Sequence, residues 1–295
     1  MPQSFYEVAW IFIIYAIIGW CTEVSYATLE TGKFVNRGFL NGPYCPIYGC
    51  GVLLVIIVLT PLKENLLILY IGSFLLTSVI EFITGYILEK IFHNKWWDYS
   101  DKPYNIKGYV CLKFSVLWGL ACTFIMLILH PIIYRMIKII PFMVGLVILC
   151  IIIVMFIIDC EITVATILKF NQRLKILNGI AEKIHDISDE IGENIHENVT
   201  EVLDKRDEFI ENHGDQIIRI TEKTQEVKIG IEVRKIELEK LREQYKSMLK
   251  EKNIGHNRLM KAFPKMTSNY YDEILQKLKN YIEMKRRDEA DDQRN

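Results

Sequence analysis

The chain has 295 residues, of which 51% are hydrophobic, and a formal net charge of −1. Its mean hydropathy of +0.18 averages two unlike halves. Apolar runs dominate up to about residue 170, and charged, periodic sequence follows. This pattern excludes an ordinary soluble globular domain and predicts an all-α protein: a polytopic transmembrane helical bundle followed by a long cytoplasmic coiled-coil helical region. We expect a transmembrane domain at 1–170, a coiled-coil stalk at 171–252 and a C-terminal helical segment at 253–295.

Five segments are apolar and long enough, or nearly so, to cross a bilayer core of about 30 Å, which takes about 20 residues of helix. They are Val8–Leu29, Tyr44–Leu62, Leu66–Phe92, Tyr109–Leu129 and Phe142–Leu168. Cytoplasmic loops are enriched in Lys and Arg. An outside N-terminus puts nine such residues on the inner side and three on the outer side. The sequence therefore predicts a multi-pass protein of the cell membrane with a cytoplasmic C-terminal coiled coil.

Charged side chains within the apolar segments are the first candidates for function. Each costs roughly 2.5 to 3.5 kcal/mol on insertion scales, so such groups usually face the bundle interior and mark a pathway or site. Glu23, Glu81, Glu89 and Lys113 are candidates for a polar pathway. Glu81 is equally consistent with a buried structural pair. Glu89 and Asp159 lie near enough to their helix ends to reach water, which makes them weaker candidates.

The stretch NRGFLNGPYCPIYGCG, at 36–51, stands directly before the second apolar run. Non-helical backbone is tolerated at membrane depth only where protein buries it or where it lines a wet cavity. We interpret this stretch as a re-entrant or unwound entry to the second helix, with Asn41, Gly42 and Tyr48 as substrate-binding candidates. Its free N–H groups are suited to an anionic group. The alternative is an ordinary cytoplasmic turn.

A second loop, HNKWWDYSDKPYNIKGY at 93–109, joins the third and fourth apolar segments on the same side. We expect Trp96 and Trp97 to anchor it in the membrane interface, where indole rings are enriched. Asp98 and Asn105 either bind a lipid headgroup or polar solute, or belong to a solvated turn.

The seven cysteines all lie in or beside apolar segments, so neither a disulfide framework nor a CxxC metal site fits. No Ser/His or Cys/His pairing is visible along the chain. The sequence therefore predicts no metal site, no cofactor and no catalytic residue, and it does not favour an enzyme.

Three stretches resemble one bacterial family: RGFLNGPYCPIYGCG, then EFITGYILEKIF, then WWDYSDKPYNIKGYVCLKFSVLWG. They are similar to the integral membrane family described as "Putative ABC-transporter type IV", also called CmpB-like. The late stretch RLMKAFPKMTSNYYDEILQKLK resembles the C-terminal end of its longer members. The resemblance implies a transporter-related membrane protein and assigns no site residue.

The chain contains no G-x-x-x-x-G-K-[ST] stretch, the loop that cradles phosphates in many ATPases. If the protein is a permease, its ATPase is therefore expected on a separate chain.

Isoleucines and other apolar residues recur at spacings of three, four and seven between 180 and 238, which predicts helix with a coiled-coil seam. Acidic residues outnumber basic ones by twelve to three in 182–215, and basic residues outnumber acidic ones by ten to seven in 219–252. Either the two halves form an antiparallel hairpin around Gly214, or one long helix dimerises. We expect a homo-oligomer through the coiled coil.

Three functions are compatible with these patterns. The first is a transport permease or transporter component for an unknown solute or lipid. The second is an intramembrane lipid-modifying enzyme with Glu23 or Glu81 as general base. The third is a membrane-anchored coiled-coil scaffold or sensor. We favour transport, with membrane lipid and a separate ATPase subunit as partners and with no nucleic acid.

Overall fold

The computed structural model describes residues 2–209 and 215–292. Their helices are α1 (Phe5–Thr31), α2 (Pro46–Leu59), α3 (Leu66–Phe92), α4 (Leu112–Phe124), α5 (His130–Ile139), α6 (Phe142–Phe209), α7 (Asp215–Lys250), α8 (Ile254–Ala262) and α9 (Asp272–Asp292). Four two-residue strands accompany them: β1 (Asn94–Lys95), β2 (Asn105–Ile106), β3 (Val110–Cys111) and β4 (Thr267–Ser268). The predicted hinge Gly214 lies outside the described residues.

The chain folds into two compact units. The first contains Met1–Phe170 and Asn253–Asp272, and the second contains Asn171–Lys252 and Glu273–Asn295. Helix α6 therefore begins in the first unit and ends in the second. The segment expected as one C-terminal piece, 253–295, is divided between the two units.

Four helical stretches are long and apolar enough to cross a membrane: α1, α3, the continuous run Leu112–Ile139, and the apolar part of α6. The sequence predicted about five spans, and the structure has four membrane-capable helices together with one shorter apolar helix. The second apolar segment forms only the shorter helix Pro46–Leu62, about 25 Å long at 1.5 Å per residue. Its start is late because Pro43 and Pro46, in a glycine-rich stretch, keep the preceding backbone out of helix.

Side-chain caps and close packing position the first-unit helices. Ser4 caps the start of α1, and the side chain of Asn65 accepts hydrogen bonds from two N–H groups at the start of α3. Helices α1 and α2 pack closely at Gly49. A Cβ on this residue would lie only 2.6 Å from the carbonyl oxygen of Phe12, so the approach of the two helices depends on the missing side chain. A single π-helical turn, Ile125–Leu129, joins α4 to α5 just before Pro131, which lacks an N–H group.

The last part of the first unit, Asn253–Asp272, returns to the helix bundle, and we call it the return segment. Strand β4 pairs antiparallel with β1, with Asn94 opposite Ser268 and Lys95 opposite Thr267. The side chain of Lys265 also forms an ion pair with Asp101, at 3.1 Å. The return segment is therefore built into the loop between α3 and α4.

The ring of Trp96 is covered by protein, whereas the predicted anchoring in the membrane interface would leave it exposed to lipid. It is 3% exposed, and its ring lies 5.0 Å from that of Phe39, 6.2 Å from that of Phe92 and 5.1 Å from that of Phe263. Because Phe263 belongs to the return segment, a distant part of the chain covers the indole. The sequence around Trp96 could not predict this contact with Phe263.

In the second unit, the later part of α6 packs against α7. Ile187 and Ile191 form an apolar cluster with Leu238, and Arg234 forms an ion pair with Glu190 at 3.1 Å. Nearer the start of the unit, Arg173 donates a 3.0 Å hydrogen bond to the carbonyl oxygen of Glu251. Residue numbers fall along α7 as they rise along α6, so the packing is that of an antiparallel pair within one chain. A long continuous coiled coil and a homo-oligomer stay predictions.

Candidate functional site

The irregular segment before α2 enters the helix bundle beside α1. The indole N–H of Trp20 donates a 2.8 Å hydrogen bond to the side-chain oxygen of Asn36. Further along, the N–H of Cys45 donates to the carbonyl oxygen of Ala16 at 2.9 Å. Ala16 is eleven residues into α1, about 16 Å from its start. The backbone of 36–45 therefore runs beside α1 between the levels of Trp20 and Ala16, and its re-entrant character stays a prediction.

The N–H groups of this segment have an anionic partner inside the chain. Asp159 of α6 accepts hydrogen bonds from the backbone N–H groups of Asn41, at 3.1 Å, and Gly42, at 2.7 Å. The side-chain amide of Asn41 donates to Asp159 at 3.0 Å and to Thr163 at 2.9 Å. A Cβ at Gly42 would lie 3.0 Å from a carboxylate oxygen of Asp159, so any larger residue here would press against that carboxylate. Asn41 and Gly42 are thus held by the protein's own carboxylate.

The carbonyl groups of the same segment are held from the return segment. Arg258 of α8 donates hydrogen bonds to the carbonyl oxygens of Gly38 at 2.9 Å, Leu40 at 2.8 Å and Phe39 at 3.0 Å. Burial lowers the pKa of the Arg258 guanidinium, and the nearby Asp159 carboxylate opposes that shift. Three successive carbonyl groups thus depend on one partly buried cation.

Glu23 and Tyr48 form a pair next to this segment. The hydroxyl of Tyr48 donates a 2.6 Å hydrogen bond to Glu23, and the guanidinium of Arg37 lies 3.5 Å from the other oxygen of Glu23. The two candidates Glu23 and Tyr48 are therefore in direct contact, on neighbouring helices.

Glu81 has a tyrosine partner from a different part of the chain. The hydroxyl of Tyr99 donates a 3.3 Å hydrogen bond to one Glu81 oxygen, and the other oxygen is buried with no hydrogen-bond partner among the described residues. Burial, and then the carboxylates of Glu81 and Glu23, raise the pKa of Tyr99. Glu81 lies about 22 Å from the start of α3 and about 16 Å from its end at 1.5 Å per residue. It is therefore close to the middle of a membrane-capable helix.

We call Glu23, Tyr48, Glu81 and Tyr99 the glutamate–tyrosine cluster. Aromatic rings of α4 line it. The Tyr48 ring meets that of Trp118 edge-on at 5.4 Å, and Tyr99 stacks on Phe114 at 4.9 Å. A low-dielectric wall of this kind strengthens electrostatic interactions inside the cluster. The cluster brings together three of the sequence candidates and adds Tyr99, which the sequence analysis missed.

The remaining candidates lie elsewhere. Glu89 accepts hydrogen bonds from Tyr109 at 2.7 Å and from Asn269 of the return segment at 3.1 Å. Lys113 is exposed in the first turn of α4 and forms no ion pair with any residue of the described ranges. The structure therefore brings neither residue into the glutamate–tyrosine cluster.

Asp98 and Asn105 hydrogen-bond within their own loop. Asp98 accepts from the ammonium group of Lys95 at 2.9 Å and from the hydroxyl of Ser100 at 2.6 Å. Burial alone would raise the pKa of Asp98, but these hydrogen bonds outweigh it and lower the pKa. Asn105 donates to the carbonyl oxygen of Lys102 at 2.8 Å and accepts from the N–H of Gly108 at 3.1 Å. These contacts favour the solvated-turn alternative.

Within residues 2–209 and 215–292, no group of three or more His, Cys, Asp or Glu side chains is placed to hold a metal ion. The seven cysteines are free thiols.

The three stretches that carry the sequence resemblance form the irregular segment before α2 and the start of α2, the second half of α3, and the loop that leads into α4 with the first part of that helix. The family model described as "Putative ABC-transporter type IV" matches residues 10–164, more than half of the chain. The chain belongs to this family. The matched residues include the whole glutamate–tyrosine cluster and Asp159, whereas Arg258 and the return segment lie beyond the match. No curated protein and no solved structure matches the chain.

Proposed function

We propose that the protein is a membrane permease, or a permease component, that moves a solute or lipid, with its ATPase on a separate chain. Membership of the family supports a relation to ABC transporters. The observation that carries the proposal is the glutamate–tyrosine cluster, which groups two carboxylates among membrane-capable helices.

The hydrogen bonding of Glu81 favours a binding role over a purely structural one. A buried polar atom normally has a hydrogen-bond partner, because leaving it without one costs about 1–3 kcal/mol. Asp159 and Glu89 use both of their carboxylate oxygens. Glu81 uses only one. Its second oxygen is therefore available to a hydroxyl, ammonium or other donor group of a transported molecule.

The substitution Glu81→Gln tests this role. It keeps the size of the side chain and its hydrogen bond to Tyr99 but removes the negative charge. We expect loss of transport, or of the cellular phenotype of a deletion strain complemented with the variant, at an unchanged membrane level. The matched control is Glu64→Gln, an exposed position just before α3. Full activity of Glu81→Gln would overturn the assignment of this residue.

Copurification tests the separate ATPase. The tagged protein is extracted from its native membrane in a mild detergent, and accompanying chains are identified by mass spectrometry and assayed for ATP hydrolysis. A stoichiometric nucleotide-binding chain would support the permease proposal. Its reproducible absence from stable preparations would instead favour the lipid-modifying enzyme, for which the free oxygen of Glu81 would serve as general base.

The orientation is also a proposal, supported by the distribution of Lys and Arg. We infer that the N-terminus is outside and that the loop at 93–109 and the C-terminal half are cytoplasmic. Alkaline phosphatase, which is active only outside, should be active when fused after Leu62 and inactive when fused after Asp101. The reverse pattern would invert the orientation.

A further inference from the structure

The loop between α3 and α4 ends in a short hairpin that presents apolar side chains to its surroundings. Strands β2 and β3 pair antiparallel, with Ile106 opposite Val110. Next to this pair, the N–H of Leu112 donates a 3.3 Å hydrogen bond to the carbonyl oxygen of Tyr104. Tyr104 is 81% exposed, and Ile106 and Leu112 are exposed as well. Three large side chains therefore stand together on the hairpin and the start of α4 without protein cover from the described residues.

The hairpin holds these side chains in a fixed conformation. Tyr104 and Lys107 have φ angles of 53° and 52°, in the left-handed region that is unfavourable for residues with a side chain. Hydrogen bonds keep the backbone there: the side chain of Asn105 accepts from the N–H of Gly108 at 3.1 Å, and the carbonyl group of Tyr104 accepts from Leu112. Backbone of this kind persists only where surrounding contacts impose it. The exposure of Tyr104 is thus built into the loop.

Two lysine side chains next to these apolar groups have no acidic partner. Lys107 follows Ile106, and Lys113 follows Leu112. Both lysines are exposed, and neither forms an ion pair with any residue in the described ranges. The hairpin therefore combines an apolar surface with two ammonium groups.

The two acidic residues of the loop are used by other lysines. Asp98 lies 2.9 Å from the ammonium group of Lys95. Asp101 lies 3.1 Å from that of Lys265 and 3.4 Å from that of Lys102. Neither carboxylate therefore offsets the positive charge of the two exposed lysines.

The apolar surface of the hairpin continues that of the membrane-capable helices. Helix α3 ends at Phe92, and the membrane-capable run Leu112–Ile139 begins where the hairpin ends. Ile91, in the last turn of α3, and Leu117, in α4, are exposed. In a bilayer, such side chains on a spanning helix contact lipid. The hairpin therefore lies at the level where the apolar core gives way to headgroups, which is also where tyrosine rings are enriched.

We propose that the hairpin is a docking surface for the headgroups of anionic phospholipids. Its residues, which we call the hairpin patch, are Tyr104, Ile106, Lys107, Leu112 and Lys113. The ring of Tyr104 and the two aliphatic side chains enter among the lipids, and the two ammonium groups bind the phosphates, as basic residues near a membrane surface do. The patch supplies the interfacial anchor that the sequence analysis expected from Trp96. This lipid contact goes beyond the permease function, which does not depend on it.

Quenching by brominated lipids tests the contact directly, because bromine quenches tryptophan fluorescence only at short range. Tyr104→Trp places an indole at the patch. The full-length protein is reconstituted in phosphatidylcholine vesicles that contain the same mole fraction of either brominated phosphatidylglycerol or brominated phosphatidylcholine. The signal of the unmodified protein, which has five tryptophans of its own, is subtracted. We expect both lipids to quench the new indole, and the anionic lipid to do so at least about twofold more strongly, because each nearby lysine attracts it.

Removing the two charges separates anionic recognition from simple contact with the bilayer. In the Tyr104→Trp protein, Lys107→Gln together with Lys113→Gln should lower quenching by brominated phosphatidylglycerol to the level of brominated phosphatidylcholine and leave the latter unchanged. Salt at about 1 M, where the Debye length is about 3 Å, should act in the same direction. The matched control is Lys235→Gln together with Lys240→Gln, at exposed positions of α7, which should retain the full difference between the two lipids.

Two results would overturn the proposal. Equal quenching by both lipids would mean that the patch does not recognise anionic headgroups. No quenching by either would mean that the hairpin stands in water or against another protein. If Tyr104→Trp does not fold, Ile106→Trp serves as the reporter, with the same expected and contradicting results. Either negative result would leave the permease proposal standing, because that proposal depends on Glu81.

Discussion

Arg258 and Asp159 hold opposite polar groups of one backbone segment. The guanidinium binds the carbonyl groups of Gly38, Phe39 and Leu40, and the carboxylate binds the N–H groups of Asn41 and Gly42. Irregular backbone that is taken away from water needs other hydrogen-bond partners for its N–H and C=O groups. These two charged side chains supply them, and each comes from a residue more than a hundred positions away along the chain.

The first prediction concerns Arg258. The substitution Arg258→Lys keeps the positive charge but removes the planar guanidinium. A lysine ammonium group cannot hydrogen-bond to all three carbonyl groups as the fork of guanidinium donors does. We expect the free energy of unfolding to fall by about 1.5–3 kcal/mol, the usual contribution of a hydrogen bond to a charged group. Thermal unfolding in detergent would measure the change, and amide hydrogen exchange should accelerate in 36–45.

The matched control is Arg242→Lys, at an exposed position of α7. It should leave both the unfolding transition and the exchange of 36–45 unchanged. If Arg258→Lys and Arg242→Lys behave alike, the return segment does not stabilise the re-entrant segment.

The second prediction concerns the negative charge of Asp159, which it distinguishes from the effect of any substitution at this part of α6. Asp159→Asn retains one acceptor oxygen in place of two and loses the negative charge that faces two N–H groups. Amide exchange should therefore accelerate at Asn41 and Gly42 more than elsewhere in the chain. Glu161→Gln, two residues away and exposed, is the control. Equal protection of Asn41 and Gly42 in both variants would contradict the role of Asp159.

The third prediction uses glycine packing. Gly19→Ala places a methyl group 2.3 Å from Cγ of Tyr48, whereas a Cβ at Gly51 meets nothing within 4 Å. Overpacking of this kind costs about 1–3 kcal/mol. We expect a lower unfolding temperature for Gly19→Ala, together with impaired transport because Tyr48 is displaced from Glu23. Gly51→Ala, also within a helix, should be neutral or stabilising. Wild-type stability of Gly19→Ala would mean that α1 and α2 separate at no cost.

The fourth prediction concerns the stability of the loop at 93–109 at low pH. Hydrogen bonds lower the pKa of Asp98 in the folded protein, so its ionised form is favoured by folding. The resulting stabilisation is present above the unfolded pKa of about 3.9 and is lost as pH falls through the lower folded pKa. Tryptophan fluorescence from Trp97 should therefore report loosening of the loop only below about pH 4. Asp98→Asn should abolish that acid-dependent step, and an unchanged step would assign it to another carboxyl group.

Several features followed from the sequence because they depend on local pattern. Apolar runs of sufficient length indicated the membrane helices, since the residues of a span lie in the apolar core of the bilayer and are apolar for that reason. Glu23 and Glu81 were singled out because a charged side chain in an apolar run is expensive wherever the helix stands, and Tyr48 because it lies in the glycine-rich stretch before the second apolar run. The length of the second helix was harder to predict, because it depends on the residue at which the helix begins within a segment that contains two prolines.

The tertiary structure decided which distant groups meet. Contacts within one helix leave a periodic pattern in the sequence. The contacts of Arg258 with Leu40 and of Tyr99 with Glu81 join different elements and leave no such pattern. Asp159 looked able to reach water from its helix end, and only the position of Gly42 beside it shows that the carboxylate is used inside the protein. Sequence by itself determined where polar groups enter the membrane bundle. Only the fold determined their partners, because hydrogen bonds depend on distances that chain separation does not specify.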